Sequence, residues 1–349
     1  MSAASKNVSD RRLSKNSSGY TKSDYEGAVS TLCQGCGHNS ISDCIVRACF
    51  ELAIEPHRLA KLSGIGCSSK TPAYFLGKSH GFNAVHGRMP AVATGANLAN
   101  RDLIYLGVSG DGDTASIGLG QFVHMVRRNL NMVYIVENNG CYGLTKGQDS
   151  ATADLGSINK KGDITPFQSI DLASMALQHG ATFVARAFAG DKKQLLPLLK
   201  AAICHQGLAF LDIISPCVTF NNHEESTKSF AYTRQHVASI PIDFVPMREE
   251  ILTSHKEGTT QEVCMHDGSV IHLHKTDVDF DIQDPHAAMQ AVHQYQKEGR
   301  ILTGLLYMDC NSKDLHHTLN TAAKPFSELT ELELCPGSRF LASINAGLR

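Results

Sequence analysis

Between Ser40 and Leu52 the apolar residues fall at Ile41, Cys44, Ile45, Ala48, Cys49 and Leu52, a spacing of three and four that paints one stripe along a helix. The period then changes. Residues 59–63, 103–108 and 132–136 are short, nearly continuous apolar runs bounded by glycine and polar residues, the pattern of strands covered on both faces of a parallel sheet. "FNAVHGRMPAVATGANLAN" reads as strand, turn and small-residue helix, and 114–128 carries Ile117, Phe122, Met125 and Val126 at helical spacing. "IDLASMALQHG", "ATFVARAF", "DKKQLLPLLKAAICHQG" and "LAFLDIISPC" alternate helix and strand again. From about residue 25 to 220 the pattern predicts one α/β unit, a doubly wound parallel sheet with no internal linker. Beyond Pro246 it changes: "EVCMHDGSVIHLHKT" predicts a hairpin around a DG turn, followed by a helix over "DPHAAMQAVHQYQKEG" and a strand over "RILTGLLYMD". The expected organisation is a flexible, Ser/Lys-rich arm over 1–24, an α/β domain over 25–246 and a small C-terminal extension over 247–349.

With 349 residues, 42% of them apolar, the chain can bury a large core. A net charge of -2 and a pI near 6.8 argue against a nucleic-acid partner. No apolar run approaches the roughly 18 residues of a membrane span, and the start lacks the apolar stretch of a signal peptide. The expectation is a cytoplasmic chain with no membrane partner. A reducing compartment turns the eleven cysteines from disulfides toward metal ligands, reactive thiols or core. Cys44 and Cys49 belong to the helical stripe and read as core. Cys33 and Cys36, a C-x-x-C pair in a glycine-broken loop, have no packing period to explain them, and Cys67 and Cys217 stand in strand-end loops. Four converging thiolates hold zinc or a [4Fe–4S] cluster, and spacing does not choose between them. A thioredoxin-like dithiol would follow a strand, and haem attachment requires C-x-x-C-H, whereas Gly37 separates Cys36 from His38.

The sharpest chemical signal is "GDGD" at 110–113 with "ENNGCYG" at 137–143, with 25 residues separating Gly112 from Asn138. A fifteen-residue helix spans ~22 Å and a six-residue strand ~20 Å, so a crossover of this length returns the chain to the edge it left. Both motifs then share the carboxyl edge, where open parallel sheets bind ligands. Asp111, Asn139 and a main-chain carbonyl offer hard oxygens with one formal charge, a set suited to Mg²⁺ shared with substrate phosphates. The glycines admit close approach, and a helix starting near Thr114 points its positive end at the same place.

GDG, 25 residues and NN resembles the thiamine diphosphate motif. Together with "CQGCGH", "GIGCSSK", "HGR" and "YGLTKGQ", the chain from about 25 to 235 resembles the β subunits of 2-oxoacid:ferredoxin oxidoreductases, most closely the 2-oxoglutarate-using branch. The resemblance implies a thiamine-diphosphate-binding fold with Mg²⁺ on Asp111, Asn139 and the Cys141 carbonyl. It places Gly110, Gly112, Asp113, Asn138, Ser68 and Ser69 near the diphosphate, and Leu144 and Thr145 on the pocket wall. It assigns a [4Fe–4S] cluster to Cys33, Cys36, Cys67 and Cys217. Lys70 would lie near the cofactor and the 2-oxo acid, and Lys146 suits a distal carboxylate, although a loop lysine is by default a solvated surface charge. His38 and His86 would each lend a hydrogen bond or proton near the cofactor, or serve as satisfied structural histidines. The implied activity is oxidative decarboxylation of 2-oxoglutarate with coenzyme A to succinyl-CoA and CO2, or the reverse carboxylation, with electrons passing through the cluster to ferredoxin. A pyruvate-using or broader enzyme of the same family remains open, as does a zinc-stapled subunit without activity. With only one doubly wound unit, the chain is expected to act only with an α subunit, as αβ or (αβ)₂.

Overall fold

The computed structural model describes residues 15–157, 162–219, 250–265, 270–335 and 337–348. Helix α1 (Gly37–Glu51) leads into β1 (Leu59–Ser63), β2 (His80–Asn83) and α2 (Met89–Ala99). Strand β3 (Ile104–Gly110), helix α3 (Leu119–Arg127) and strand β4 (Met132–Asn138) follow, then a ribbon of β5 (Cys141–Tyr142) and β6 (Gln148–Asp149). Helix α4 (Leu172–Gln178), β7 (Phe183–Phe188), α5 (Lys192–Cys204) and β8 (Leu208–Ile214) complete the alternating part. Strands β9 (Thr260–Cys264) and β10 (Val270–Lys275), helix α6 (Pro285–Lys297) and β11 (Arg300–Met308) come next, with short helices beyond.

Nine strands form one sheet in the order β2-β1-β3-β4-β8-β7-β11-β10-β9. From β2 to β7 every pairing is parallel, and β11 then adds antiparallel to β7. Alternate side chains of the central strands feed two cores. Tyr134, Val136, Leu208 and Phe210 face the layer of α2, α3, α4 and α6, while Val133, Ile135, Ala209 and Leu211 face α1 and α5. This two-faced burial is why the runs read as continuously apolar. Cys44 and Cys49 are buried in the second core, as the helical stripe requires.

One expected element is corrected, and three further observations bear on the arrangement. First, 114–128 is not one helix. A π-type turn over Gly112–Ile117 ends at Gly118, whose N–H reaches back five residues to the Asp113 carbonyl at 2.8 Å. A Cβ on Gly87 would meet Gly118 Cα at 2.7 Å, so two glycines let the backbones touch where the helix breaks. Second, the described residues of the C-terminal extension add strands to the sheet. Leu302 and Leu306 of β11 enter one core and Leu305 packs on the other, so the segment covers the β7 edge and continues the sheet. Third, within the expected arm, residues 15–24 lie against α1. Asn16 Nδ2 donates to the Tyr25 hydroxyl at 2.7 Å and to the Phe50 carbonyl at 3.1 Å, and Tyr20, Tyr25 and Phe50 pack edge to face. Residues 1–14 lie outside the described residues. Fourth, the sheet has the expected doubly wound, parallel arrangement from β2 to β7, and the antiparallel pairing of β9 with β10 lies in the C-terminal part. That pairing is the expected hairpin; its DG turn at Asp267-Gly268 lies outside the described residues. Among those described, no helix is long and apolar enough to cross a membrane.

Candidate functional site

Strands β3 and β4 are parallel neighbours with Gly110 opposite Glu137, so Asp111 and the pair Asn138-Asn139 leave the sheet side by side at its carboxyl edge. The Asn139 N–H donates to Asp111 Oδ1 at 3.3 Å. Asp111 Oδ2 takes the Thr152 hydroxyl at 2.8 Å and the Ser150 hydroxyl as well. Asn139 Oδ1 accepts the Cys141 N–H at 3.1 Å, folding Cys141 back over a turn in which Gly140 has φ 71. Burial pushes the Asp111 carboxyl above its ordinary value, and the hydroxyls and the N–H pull against that.

The glycines of the motif make room. A Cβ on Gly110 would stand 3.0 Å from Ser68 Oγ, a buried hydroxyl with no partner among the described residues. A Cβ on Gly112 would strike the Tyr142 ring at 2.5 Å, and the Tyr142 hydroxyl donates to the Gly112 carbonyl at 3.0 Å. Asp113 is turned elsewhere: its carboxylate accepts the Gly87 N–H at 2.7 Å and the Ser109 hydroxyl at 2.9 Å, tying the His86-Gly87 turn to β3. Ser69 Oγ donates to the Gly66 carbonyl at 2.6 Å. The ribbon β5–β6 carries Leu144, Thr145 and Lys146 exposed at its tip. Lys146 is held at φ 81, a left-handed conformation that costs a side-chain-bearing residue ~1 kcal/mol or more.

The cysteines form a second corner of the same edge. Cys36 begins α1 and is buried, while Cys33, Cys67 and Cys217 are half-buried. Burial pushes the Cys67 thiol up to about 11, with Cys217 and Cys33 adding to the rise and Lys70 opposing it. Burial raises Cys36 further, again with Cys217 and Cys33 contributing. Cys141 is raised by its hydrogen bond with Cys217 and by burial. The four cysteines named from the sequence are thus electrostatic neighbours, and Cys141 joins them. Among the described residues no group of three or more His, Cys, Asp or Glu side chains is drawn to metal-ligating distance. Behind the thiols, Glu137 Oε2 accepts the Thr71 hydroxyl at 2.9 Å, and Oε1 has no partner among the described residues. Burial raises the Glu137 carboxyl well above its ordinary value. His38 Nδ1 shares a hydrogen bond with Ser215 Oγ at 2.6 Å, and burial lowers its pKa to about 4. His86 is exposed.

A cavity of about 230 Å³ opens beside the two corners, lined by Asn138, Thr152, Asp212, Arg186, Cys217 and Arg300 among others. Ser150, Thr152, Tyr142, Glu137, Arg186 and Asp212 escaped the reading of the sequence. The one available signal was polar: "DSATAD" places two hydroxyls directly after "YGLTKGQ", within reach of the NN strand.

Residues 64–213 match the family described as "Thiamine pyrophosphate enzyme, C-terminal TPP binding domain". The chain is 43% identical over 194 residues to the 2-oxoacid:ferredoxin oxidoreductase subunit beta of a Sulfolobus species, covering 54% of this chain and 63% of that protein. It is 37% identical over 223 residues to the 2-oxoglutarate synthase subunit KorB of Methanocaldococcus jannaschii, covering 63% of this chain and 77% of that subunit. The structure of a 2-oxoglutarate:ferredoxin oxidoreductase from Magnetococcus marinus, with 2-oxoglutarate, coenzyme A and succinyl-CoA bound, superimposes with a TM-score of 0.69 at 32% identity, covering 89% of this chain and 91% of that one. The match thus spans less than two thirds of the Sulfolobus relative but most of the other two.

Proposed function

The chain belongs to the family of 2-oxoacid:ferredoxin oxidoreductase β subunits, and on that premise we propose that it holds thiamine diphosphate through Mg²⁺ at the Asp111 edge, carries a [4Fe–4S] cluster on Cys33, Cys36, Cys67 and Cys217, and works with an α subunit. The complex oxidises 2-oxoglutarate with coenzyme A to succinyl-CoA and CO2 and reduces ferredoxin. The observation that carries this reading is the meeting of Asp111 and Asn139 at the tips of two adjacent parallel strands.

The chemistry of the donor sets supports both groups. Asp111 and Asn139 are hard oxygen donors beside two glycines, and the orphaned Ser68 hydroxyl at Gly110 is placed to donate to a phosphate oxygen. The thiols are soft donors that resist ionising next to one another, and a cationic iron centre removes that resistance. Thiamine diphosphate supplies, when bound, the nucleophilic carbon and electron sink for decarboxylation. The chain's own work is binding and orientation. Asp111, Asn139 and the Cys141 carbonyl grip the cation, with Gly112 and Asn138 beside them. Lys70 presents positive charge to the 2-oxo acid. Lys146, at a strained and exposed tip, meets the distal carboxylate, which pyruvate lacks. Leu144 and Thr145 shape the pocket beside it. Exposed Val85, Ile117, Leu144, Leu155, Ile164 and Phe167 all lie in segments that follow β2, β3, β5 or β6 before the chain enters its next α-helix or strand. Such an apolar rim suits cover by the α subunit.

The test is an anaerobic assay of the co-expressed αβ complex with 2-oxoglutarate, pyruvate and branched 2-oxo acids. The expected result is a brown protein that reduces ferredoxin in a coenzyme A-dependent reaction, fastest with 2-oxoglutarate. A colourless, zinc-loaded complex without that reaction overturns the assignment.

A further inference from the structure

Asn138 stands one residue before the proposed cation ligand, and its amide is oriented from both ends. Its Nδ2 donates to Asp212 Oδ1 at 3.0 Å. The second oxygen of Asp212, on β8, accepts Arg186 Nε at 2.9 Å, and Arg186, on β7, is held from behind by Asp171 through Nη2 at 2.7 Å. Asp171 is fixed in turn as the N-cap of α4, accepting the Ser174 N–H at 2.7 Å. On its other side Asn138 Oδ1 lies 3.0 Å from the Thr152 hydroxyl, which is also 2.8 Å from Asp111 Oδ2. A continuous chain of polar contacts therefore runs from Arg186 to Asp111.

Two facts about this chain call for a role. Arg186 and Asp212 are 6% and 2% exposed, and buried ion pairs contribute little net stability compared with apolar residues of the same volume. The donor order also fixes the amide: facing a carboxylate, Asn138 has to present NH2 to Asp212 and its oxygen to Thr152. Thr152 has one hydroxyl proton and three oxygens in reach, Asp111 Oδ2, Asn138 Oδ1 and Ser150 Oγ at 2.9 Å, and it donates to one at a time. Asn138 Oδ1 therefore offers that proton an acceptor other than Asp111.

We propose that Asp212 and Arg186 are positioning residues that lock the Asn138 amide, so that Thr152 can release Asp111 to the divalent cation without leaving a hydroxyl unpaired. The inference rests on the assignment of Asp111 as the cation holder, and its test separates the two. Asp212→Asn keeps the shape but changes the order: its amide has to give its oxygen to Arg186 and its NH2 to Asn138, where two donors then collide. Asn138 flips and turns NH2 toward Thr152. Adding Asn138→Asp restores an acceptor opposite that NH2 and a second acceptor facing Thr152. Asn138→Asp alone sets two carboxylates face to face.

The measurement is Mn²⁺ binding by electron paramagnetic resonance, on the full chain with its α subunit and thiamine diphosphate, beside a thermal melt of each variant. Asp212→Asn is expected to weaken Mn²⁺ by about tenfold or more, the usual scale for outer partners of a metal ligand. The double variant recovers most of that loss and binds better than either single one. Wild-type affinity in Asp212→Asn, or a double variant no better than Asn138→Asp alone, overturns the positioning role while leaving Asp111 as cation holder. A wild-type complex that takes up no Mn²⁺ overturns both. Should Asp212→Asn fail to fold, the double variant against Asn138→Asp decides.

Discussion

The aspartate edge and the thiol corner sit on neighbouring loops and meet burial in opposite ways. Asp111 is buried, yet each of its oxygens has a donor from the chain itself: the Asn139 N–H on one, the hydroxyls of Ser150 and Thr152 on the other. At the thiol corner the neighbours are like groups. Cys33 and Cys217 act on both Cys36 and Cys67 to oppose ionisation, and Glu137 keeps one oxygen without a partner among the described residues. A buried polar group with its partners in place can wait for a ligand at little cost, whereas thiols that suppress one another's ionisation become good ligands only once an electropositive centre arrives. The first site is organised by the fold. The second, on the proposed reading, would be completed by the cluster it holds.

The strongest way to break that contrast is Cys67→Ser. It should abolish iron uptake and brown colour in anaerobically prepared protein, while thiamine diphosphate binding, followed by calorimetry, stays close to wild type. Simultaneous loss of both would mean that the corners are one site. The reciprocal change, Asp111→Asn, should weaken Mn²⁺-dependent cofactor binding by about 100-fold, the upper range for disturbed metal shells, and leave the iron content unchanged.

A finer test uses the strained tip. Lys146→Gly should stabilise the chain by about 1 kcal/mol in a thermal or urea melt, by releasing φ 81 to a residue that tolerates it. The same variant should raise KM for 2-oxoglutarate by about tenfold, the worth of one charge-assisted contact, and leave KM for pyruvate unmoved. Equal effects on both substrates would remove the distal-carboxylate role.

The smallest effect concerns Lys61, which anchors the loop bearing Cys67 by donating to the carbonyls of Phe75 at 2.7 Å and Leu76 at 3.1 Å. Burial lowers its pKa to about 8. Between pH 8 and the ordinary lysine value the unfolded chain holds a proton that the folded chain has lost, so this group's contribution to stability rises with pH across that window. Urea melts at pH 8 and pH 10 should show that rise in wild type relative to Lys61→Met. A difference of the opposite sign would mean that the amine stays charged in the fold.

Much of the architecture was legible because the strands are covered on both faces, which leaves long apolar runs such as 132–136 in plain view. The pairing of Asp111 with Asn139 was equally legible, since a crossover of fixed length fixes which strand tips meet. Other features lacked any local mark. The break at Gly118 depends on contact with Gly87, far away in the chain. Ser150 and Thr152 look like any polar loop until Asp111 stands beside them. Arg186 and Asp212 lie inside runs that read as ordinary buried strands, because one charge among apolar neighbours does not alter the period. The place of the C-terminal strands was hidden for a related reason: strand periodicity says that a strand exists but not whose edge it closes.

The ring of Tyr142, wedged onto the backbone of Gly112, has one more effect. It rivets the ribbon to the glycine turn, so the finger carrying Lys146 and the palm around Asp111 are parts of one lever. A shift of that finger would have to carry the Tyr142 ring across the backbone of the residue that follows Asp111.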